Sequence, residues 1–323
     1  MIASWNDSYI EGTIALWNGE ATKDGYKEMT AESFRRVILD HPYFDPESAF
    51  VLLADRRVKG FACGCAGDDL PLGDVAGYIT CIVASEDVRG EETYGLLLDA
   101  LERRFKELGK RQADVLFFNP MQLPWYIPNT PGHEHNNAPG VPVDGPLYPF
   151  LLGRGYVERA RENAMYLPLA EFSLPAETAA KEAKAAAGGY EVGLYDPAMH
   201  SGIEEMLDGL NNPLWRREIA ACAREGKPVV VASKGGRAVG FAGPVIRQEN
   251  GRGYFSGIGV HPDHEGHGLG TILFYRLCEA FKDIGTTYMS LYTGSTNPAL
   301  RIYEKAGFAT VKQFAVLRKE LLG

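Results

Sequence analysis

The chain has 323 residues, 45% of them hydrophobic, and a net charge of −9. That length suits two globular domains, and an acidic chain without a basic stripe is a poor partner for nucleic acid. The five scattered cysteines make no disulfide framework. No run reaches the 18 or so apolar residues of a membrane span, and Met1-Ile-Ala-Ser-Trp5 lacks the pattern of a secretory leader, so a cytoplasmic location is expected.

In chain order, Ala54-Asp-Arg-Arg-Val-Lys-Gly-Phe-Ala62 reads as a strand, a turn and a second strand opening on Gly-Phe-Ala. Cys63-Gly-Cys65 has no second pair for zinc and reads as buried strand. An apolar strand, Gly77–Ala84, leads through the polar loop Ser85–Tyr94 into a helix over Gly95–Leu108. Leu97, Leu101, Phe105 and Leu108 share one face of that helix. A strand is expected at Asp114–Phe118. Asn119–Pro146 is then proline-rich and without period, and its Trp125 and Tyr126 suggest an ordered flap. A helix and the step Gly155-Tyr156 lead to a domain end near Ala170. Pro175–Ala187, rich in Ala, Lys and Glu, reads as a solvated helix within a linker over 171–189, stopping at Gly188-Gly189.

The second half repeats this order. It opens with a strand at Tyr190–Tyr195. Ala232-Ser-Lys-Gly-Gly-Arg-Ala-Val-Gly-Phe-Ala242 matches the first turn and its Gly-Phe-Ala. Strand Gly253–Val260, loop His261–Gly270, helix Thr271–Ile284, strand Tyr288–Tyr292 and the step Gly307-Phe308 follow. Two copies of one α/β domain, 1–170 and 190–323, account for this better than one large fold. The insertion 119–146 has no counterpart in the second copy.

The segment Ile258-Gly-Val-His-Pro-Asp-His-Glu-Gly-His-Gly-Leu-Gly270 passes from strand through loop to helix. Glycines allow close backbone approach, and the first helical turn offers unpaired amides at a positive dipole end. Together they form a pyrophosphate cradle that needs no basic side chain. A dinucleotide-binding loop would need G-x-G-x-x-G directly after the strand and an acidic residue about 20 positions on. Here the spacing is G-x-G-x-G, and Thr286 stands at the acidic position. A metal site on His261, His264, Glu265 and His267 would set a cation against the helix dipole, so no metal is expected. His133-Glu134-His135 reads as solvated loop.

On these residues the second half resembles the GNAT superfamily of acyl-CoA-dependent N-acyltransferases. The family signature [Q/R]-x-x-G-x-[G/A] reads Glu265-Gly-His-Gly268-Leu-Gly270, after the family-like Val260-His-Pro262. The downstream signature reads Asn297-Pro-Ala-Leu-Arg-Ile-Tyr303-Glu-Lys305-Ala-Gly307-Phe308. The match covers roughly Tyr190–Leu321. Its one departure is Glu265, where the family has Gln or Arg; a carboxylate there must point away from the phosphates.

The resemblance implies two tandem GNAT-like domains, each a mixed, mostly antiparallel sheet flanked by helices. It implies acetyl-CoA as co-substrate, held by Ile258, Gly259, Val260, Glu265, Gly266, His267, Gly268, Leu269, Gly270, Thr271, Asn297 and Tyr303. The strand Tyr254–Val260 should splay from its neighbour, and its amides near Ile258–Val260 should polarise the thioester carbonyl. Tyr303 is the expected general acid for the leaving thiolate. The acceptor would be a primary amine of a small molecule or peptide, attacking directly in a ternary complex. Asn211, Trp215, Trp125 and Tyr126 are candidate acceptor contacts, and Glu249 a candidate base. In the first copy Arg89-Gly-Glu-Glu92-Thr-Tyr94 stands on the signature. Glu92 and Tyr94 replace two glycines, and Leu151 and Gly145 replace the tyrosine and asparagine. That copy is expected to be non-catalytic and to shape the acceptor pocket through its insertion. The layout resembles that of double-GNAT proteins such as mycothiol synthase, although no residue selects that substrate. A monomer or homodimer is expected. The other class of function open to such a chain is a non-catalytic acyl-CoA sensor.

Overall fold

The computed structural model describes residues 1–117 and 119–321. Phe118, the expected end of the strand beginning at Asp114, lies outside them, and the observed strand is Gln112–Val115. The chain forms two compact units, Met1–Ala164 with Val311–Gly323, and Met165–Thr310. Both are mixed α/β.

In the first unit the strand order is Ile2–Ser4, Ala49–Ala54, Arg57–Cys65, Ala76–Ala84, Gln112–Val115, Ala309–Glu320 and Val157–Pro168. Ala76–Ala84 and Gln112–Val115 run parallel. The pairs before them are antiparallel, as is the C-terminal strand against Gln112–Val115. Helix Glu91–Glu107 buries Leu97, Leu98, Leu101 and Phe105 on one face of the sheet. Trp17, on helix Ile10–Glu20, and Phe34 fill a second cluster.

In the second unit Tyr190–Leu194, Val230–Lys234, Arg237–Gly243 and Gly257–Val260 form an antiparallel sheet. Arg252–Tyr254 pairs antiparallel with Ile246–Arg247 and parallel with Tyr288–Gly294. The apolar stripe of helix Leu269–Asp283 packs in one core cluster with Phe308 and Met289. Helices Ile203–Gly209 and Pro213–Arg224 pack in another, with Val229, Val231 and Phe241.

The repeat extends to register. Gly60, Phe61 and Ala62 pair with Ala84, Val83 and Ile82, and Gly240, Phe241 and Ala242 pair with Val260, Gly259 and Ile258. A Cβ on Gly77 would lie 2.3 Å from Phe105, and one on Gly253 would lie 2.9 Å from Phe281. In both units a glycine in the parallel strand admits a phenylalanine from the helix above it.

Two boundaries differ from those read in the sequence. The 171–189 segment carries a helix exposed along most of its length, but it is not a linker between units. Its helix Thr178–Ala187 belongs to the second unit, buries Ala185 and holds Arg276 through Glu182 at 2.6 Å. The division falls earlier, at 164/165, inside strand Val157–Pro168. The copy 190–323 is not one unit either, because residues from Val311 onward pack in the first. Phe314, Ala315 and Leu317 are buried there, a destination that a local apolar pattern does not encode.

Candidate active site

The strand expected over Tyr254–Val260 is two strands. Gly253 faces Phe281 of the long helix, so Tyr254 faces the opposite side, towards helix Pro213–Arg224. Strict alternation would return Gly257 to the long helix. Instead a Cβ on Gly257 would lie 2.4 Å from Trp215 of helix Pro213–Arg224. One extra residue has been inserted between Tyr254 and Gly257, a bulge at Phe255-Ser256. Beyond it, no strand among the described residues pairs with the outer edge of Gly257–Val260.

That edge carries free donors. His261 N–H donates to Val239 O at 2.8 Å. Alternation along the antiparallel ladder then gives the Gly259 amide to Phe241 and turns the amides of Ile258 and Val260 outward. Trp215 Nε1 donates to Ser256 O at 3.0 Å, which satisfies a carbonyl that the bulge leaves without a ladder partner.

The glycine-rich loop continues from this edge. Gly266 and Gly268 hold φ of +77° and +74°, where a side chain would be strained. Gly268 is the N-cap of helix Leu269–Asp283, with no capping side chain. Among the described residues, no acceptor pairs with the amides of residues 266–271. A Cβ on Gly270 would meet no protein atom within 4 Å. The result is an open concavity lined by amides at a positive dipole end. Glu265 and His267 are exposed. Tyr190 braces the loop, with its Oη 3.0 Å from His264 Nδ1 and its ring 4.8 Å from that of His267. Burial, then the neighbouring His261 and Lys234, lowers the His264 pKa. No group of three metal-binding side chains occurs among the described residues.

Tyr303 lies on helix Leu300–Lys305, its ring 4.8 Å from Phe274 of the long helix. Burial raises its pKa, which keeps the phenol protonated, and no hydrogen bond engages its hydroxyl among the described residues. Asn297 is exposed. Its Oδ1 accepts from Ala299 N at 2.9 Å, one turn before the helix, and its amide nitrogen stays available as a donor.

The acceptor candidates divide. Trp215 packs on the bulge as described. Asn211 is exposed at φ +51°, a turn residue, while its neighbour Asn212 caps helix Pro213–Arg224. Trp125 is 1% exposed, stacked on His135 and edge-on to Phe314 in the first unit's core. It has no surface to offer an acceptor, contrary to the reading of a substrate-lining flap. Tyr126 is half-buried and donates to Glu28 at 3.2 Å. Glu249 sits in the turn between Ile246–Arg247 and Arg252–Tyr254, at the opposite end of that hairpin from the bulge. The carboxylate near the bulge is instead Glu218, which accepts from Tyr254 Oη at 2.8 Å. The sequence reading missed it. The available signal was its i+3 spacing from Trp215 on an amphipathic helix.

In the first unit the equivalent loop is closed by its own side chains. Arg89 donates to Ala84 O and Glu20, and Tyr94, 6% exposed, occupies a glycine position beside Phe150. Leu151, at the tyrosine position, is fully buried.

Comparison with known proteins agrees with this geometry. Residues 198–308 match the model of the acetyltransferase (GNAT) family. The matched stretch lies within the second unit. None of the curated proteins compared matches the chain. Among solved structures, a GCN5-related N-acetyltransferase from Sphaerobacter thermophilus aligns at TM-score 0.63 and 16% identity, over 100% of this chain and 96% of that one. A tandem GNAT protein from the clavulanic acid biosynthesis pathway aligns at 0.58 and 13%, over 100% and 99%. The glucosamine N-acetyltransferase region of a fungal multi-domain β-N-acetylglucosaminidase aligns at 0.66 and 16%, over 99% of this chain, which spans 38% of that protein. At these identities the likeness shows the fold, that of a tandem GNAT protein, and acyl transfer is the chemistry of the matched family.

Proposed function

We propose that the second unit transfers an acetyl group from acetyl-CoA to a primary amine of a small molecule or peptide, by direct attack in a ternary complex. The observation that carries this reading is the continuity of unpaired donors. The outward amides of Ile258 and Val260 lead into the open amides of residues 266–271. A pyrophosphate fits the second set and a thioester carbonyl the first. Glu265, being exposed, can point away from the phosphates.

The residues then divide the chemistry. The Ile258 and Val260 amides stabilise the oxyanion as the amine nitrogen forms its bond to the acyl carbon. The carbon–sulfur bond breaks, and Tyr303 Oη gives its proton to the departing sulfur. The Asn297 amide donates to the pantetheine arm. The first unit, with its loop closed by Arg89 and Tyr94, takes no part in the bond-making step.

Tyr303→Phe tests the assignment. Because a thiol of pKa about 8.5 leaves fairly well unaided, kcat should fall roughly tenfold to a hundredfold. Acetyl-CoA affinity, read by thermal shift, should stay within about twofold of wild type. A Phe variant releasing coenzyme A as fast as wild type would remove Tyr303 from the mechanism.

A further inference from the structure

We infer that Tyr254 and Glu218 form the proton exit for the attacking amine; this rests on the acetyl-transfer reading above. Three observations place the pair. Arg252 and Gly253 are paired with Tyr288 and Met289, and Tyr254 is the first residue beyond the last paired one, where the two strands part. The bulge leaves Tyr254 and Gly257 facing the same helix, Pro213–Arg224. On that helix Trp215 packs on Gly257 and Glu218, one turn later, holds the Tyr254 hydroxyl at 2.8 Å. The phenol therefore lies on the strand that bears the oxyanion donors, about four residues or ~13 Å of strand before Ile258, with its side chain leaning off the sheet.

An amine reaches the site as an ammonium and must lose a proton before it can attack. Tyr254 Oη accepts the proton relayed from nitrogen along a chain of waters, as its own proton passes to Glu218 Oε1. The amine lone pair then forms the carbon–nitrogen bond, and the thiolate leaves with the Tyr303 proton. As the adduct collapses, its nitrogen sheds a second proton to solvent, Glu218 returns the first, and Tyr303 is reprotonated from solvent, so one proton is released per turnover. Burial, then the bond to Glu218, raises the Tyr254 pKa, so the phenol relays a proton without resting as phenolate. The other titratable groups facing the pair are the Cys222 thiol, one turn beyond Glu218, and Arg252, whose guanidinium is held by Ser290 at 2.7 Å. Tyr254 is the catalytic residue here, and Glu218 positions and discharges it.

The experiment measures coenzyme A release against pH for wild type, Glu218→Gln and Tyr254→Phe. The acceptors are phenethylamine, spermidine and a tripeptide with a free N-terminus, and acetyl-CoA binding is measured in parallel. Wild-type kcat/KM should rise with pH as the acceptor amine loses its proton. Glu218→Gln should lose about 10²-fold in kcat/KM and bind acetyl-CoA as wild type does. Tyr254→Phe should lose a similar factor. Glu218→Asp, which keeps the carboxylate, should recover part of the rate, an outcome that a merely structural role would not give. Full activity in Glu218→Gln would overturn the inference alone. A wild-type protein that neither binds acetyl-CoA nor releases coenzyme A would overturn the acetyl-transfer reading and this inference with it.

Discussion

At the scale of single residues, the three loop glycines do different jobs. Gly266 and Gly268 are required by backbone conformation, whereas Gly270 has no such need and no protein neighbour within 4 Å of a built Cβ. Gly268→Ala should therefore cost about 1–2 kcal/mol of stability, the penalty for a left-handed residue with a side chain. Gly270→Ala should change stability by less than about 0.5 kcal/mol. It should still weaken acetyl-CoA binding at least tenfold, because its methyl would occupy the space the amides enclose. Denaturant melts and calorimetric titration of the two variants separate the roles. Equal acetyl-CoA affinity in Gly270→Ala and wild type would show that the helix terminus binds no phosphate. The glycine loop was legible in the sequence, because close backbone approach demands glycine at fixed spacing, whereas Asn297 and Tyr303 became candidates only through the family resemblance. Glu218 was not legible, because its partner Tyr254 comes from a strand 36 residues away and the two meet only through tertiary packing.

At the scale of elements, the bulge at Phe255-Ser256 is held in place by Trp215. Its indole both donates to Ser256 O and occupies the space a Gly257 side chain would need. Gly257→Ala should destabilise the protein by about 1–3 kcal/mol through overpacking. The same substitution in a Trp215→Ala background should cost far less, since the clash is gone. Urea midpoints of the four proteins in this cycle measure the coupling, and strict additivity would show that the indole does not set the bulge. The first unit solves the same problem with a different residue. Its ladder shifts register just after Cys63, opposite Thr80, and Asn119 Nδ2 donates to Ile79 O at 3.1 Å. The matching strands Gly77–Ala84 and Gly253–Val260 were readable as part of the repeat. The bulge was not, because an inserted residue leaves no mark in apolar periodicity.

At the scale of the whole molecule, the repeat predicted two domains, and the structure has two units, but the cut does not follow the repeat. Phe314, Ala315 and Leu317 are buried in the first unit, and Arg318 holds the buried Asp114 at 2.8 Å. A chain ending at Thr310 should therefore lose the first unit's cooperative unfolding transition and expose the edge of Gln112–Val115. Differential scanning calorimetry of that truncation would show it, and a first unit melting as before would refute the assignment. No hydrophobic pattern could have announced this, because the apolar run Phe314-Ala-Val-Leu317 marks a buried strand and says nothing about the sheet that strand joins.

The C-terminal strand also sets a clock on biosynthesis. The first unit's sheet needs residues from Val311 onward, yet its own leading segment is complete at Ala164. At 5–20 residues per second, a ribosome takes roughly 7–30 s to cover that interval. Throughout it the nascent first half has an open strand edge at Gln112–Val115. Such a chain cannot fold strictly from its N-terminus. It must wait, shielded or loosely collapsed, for its last strand to emerge.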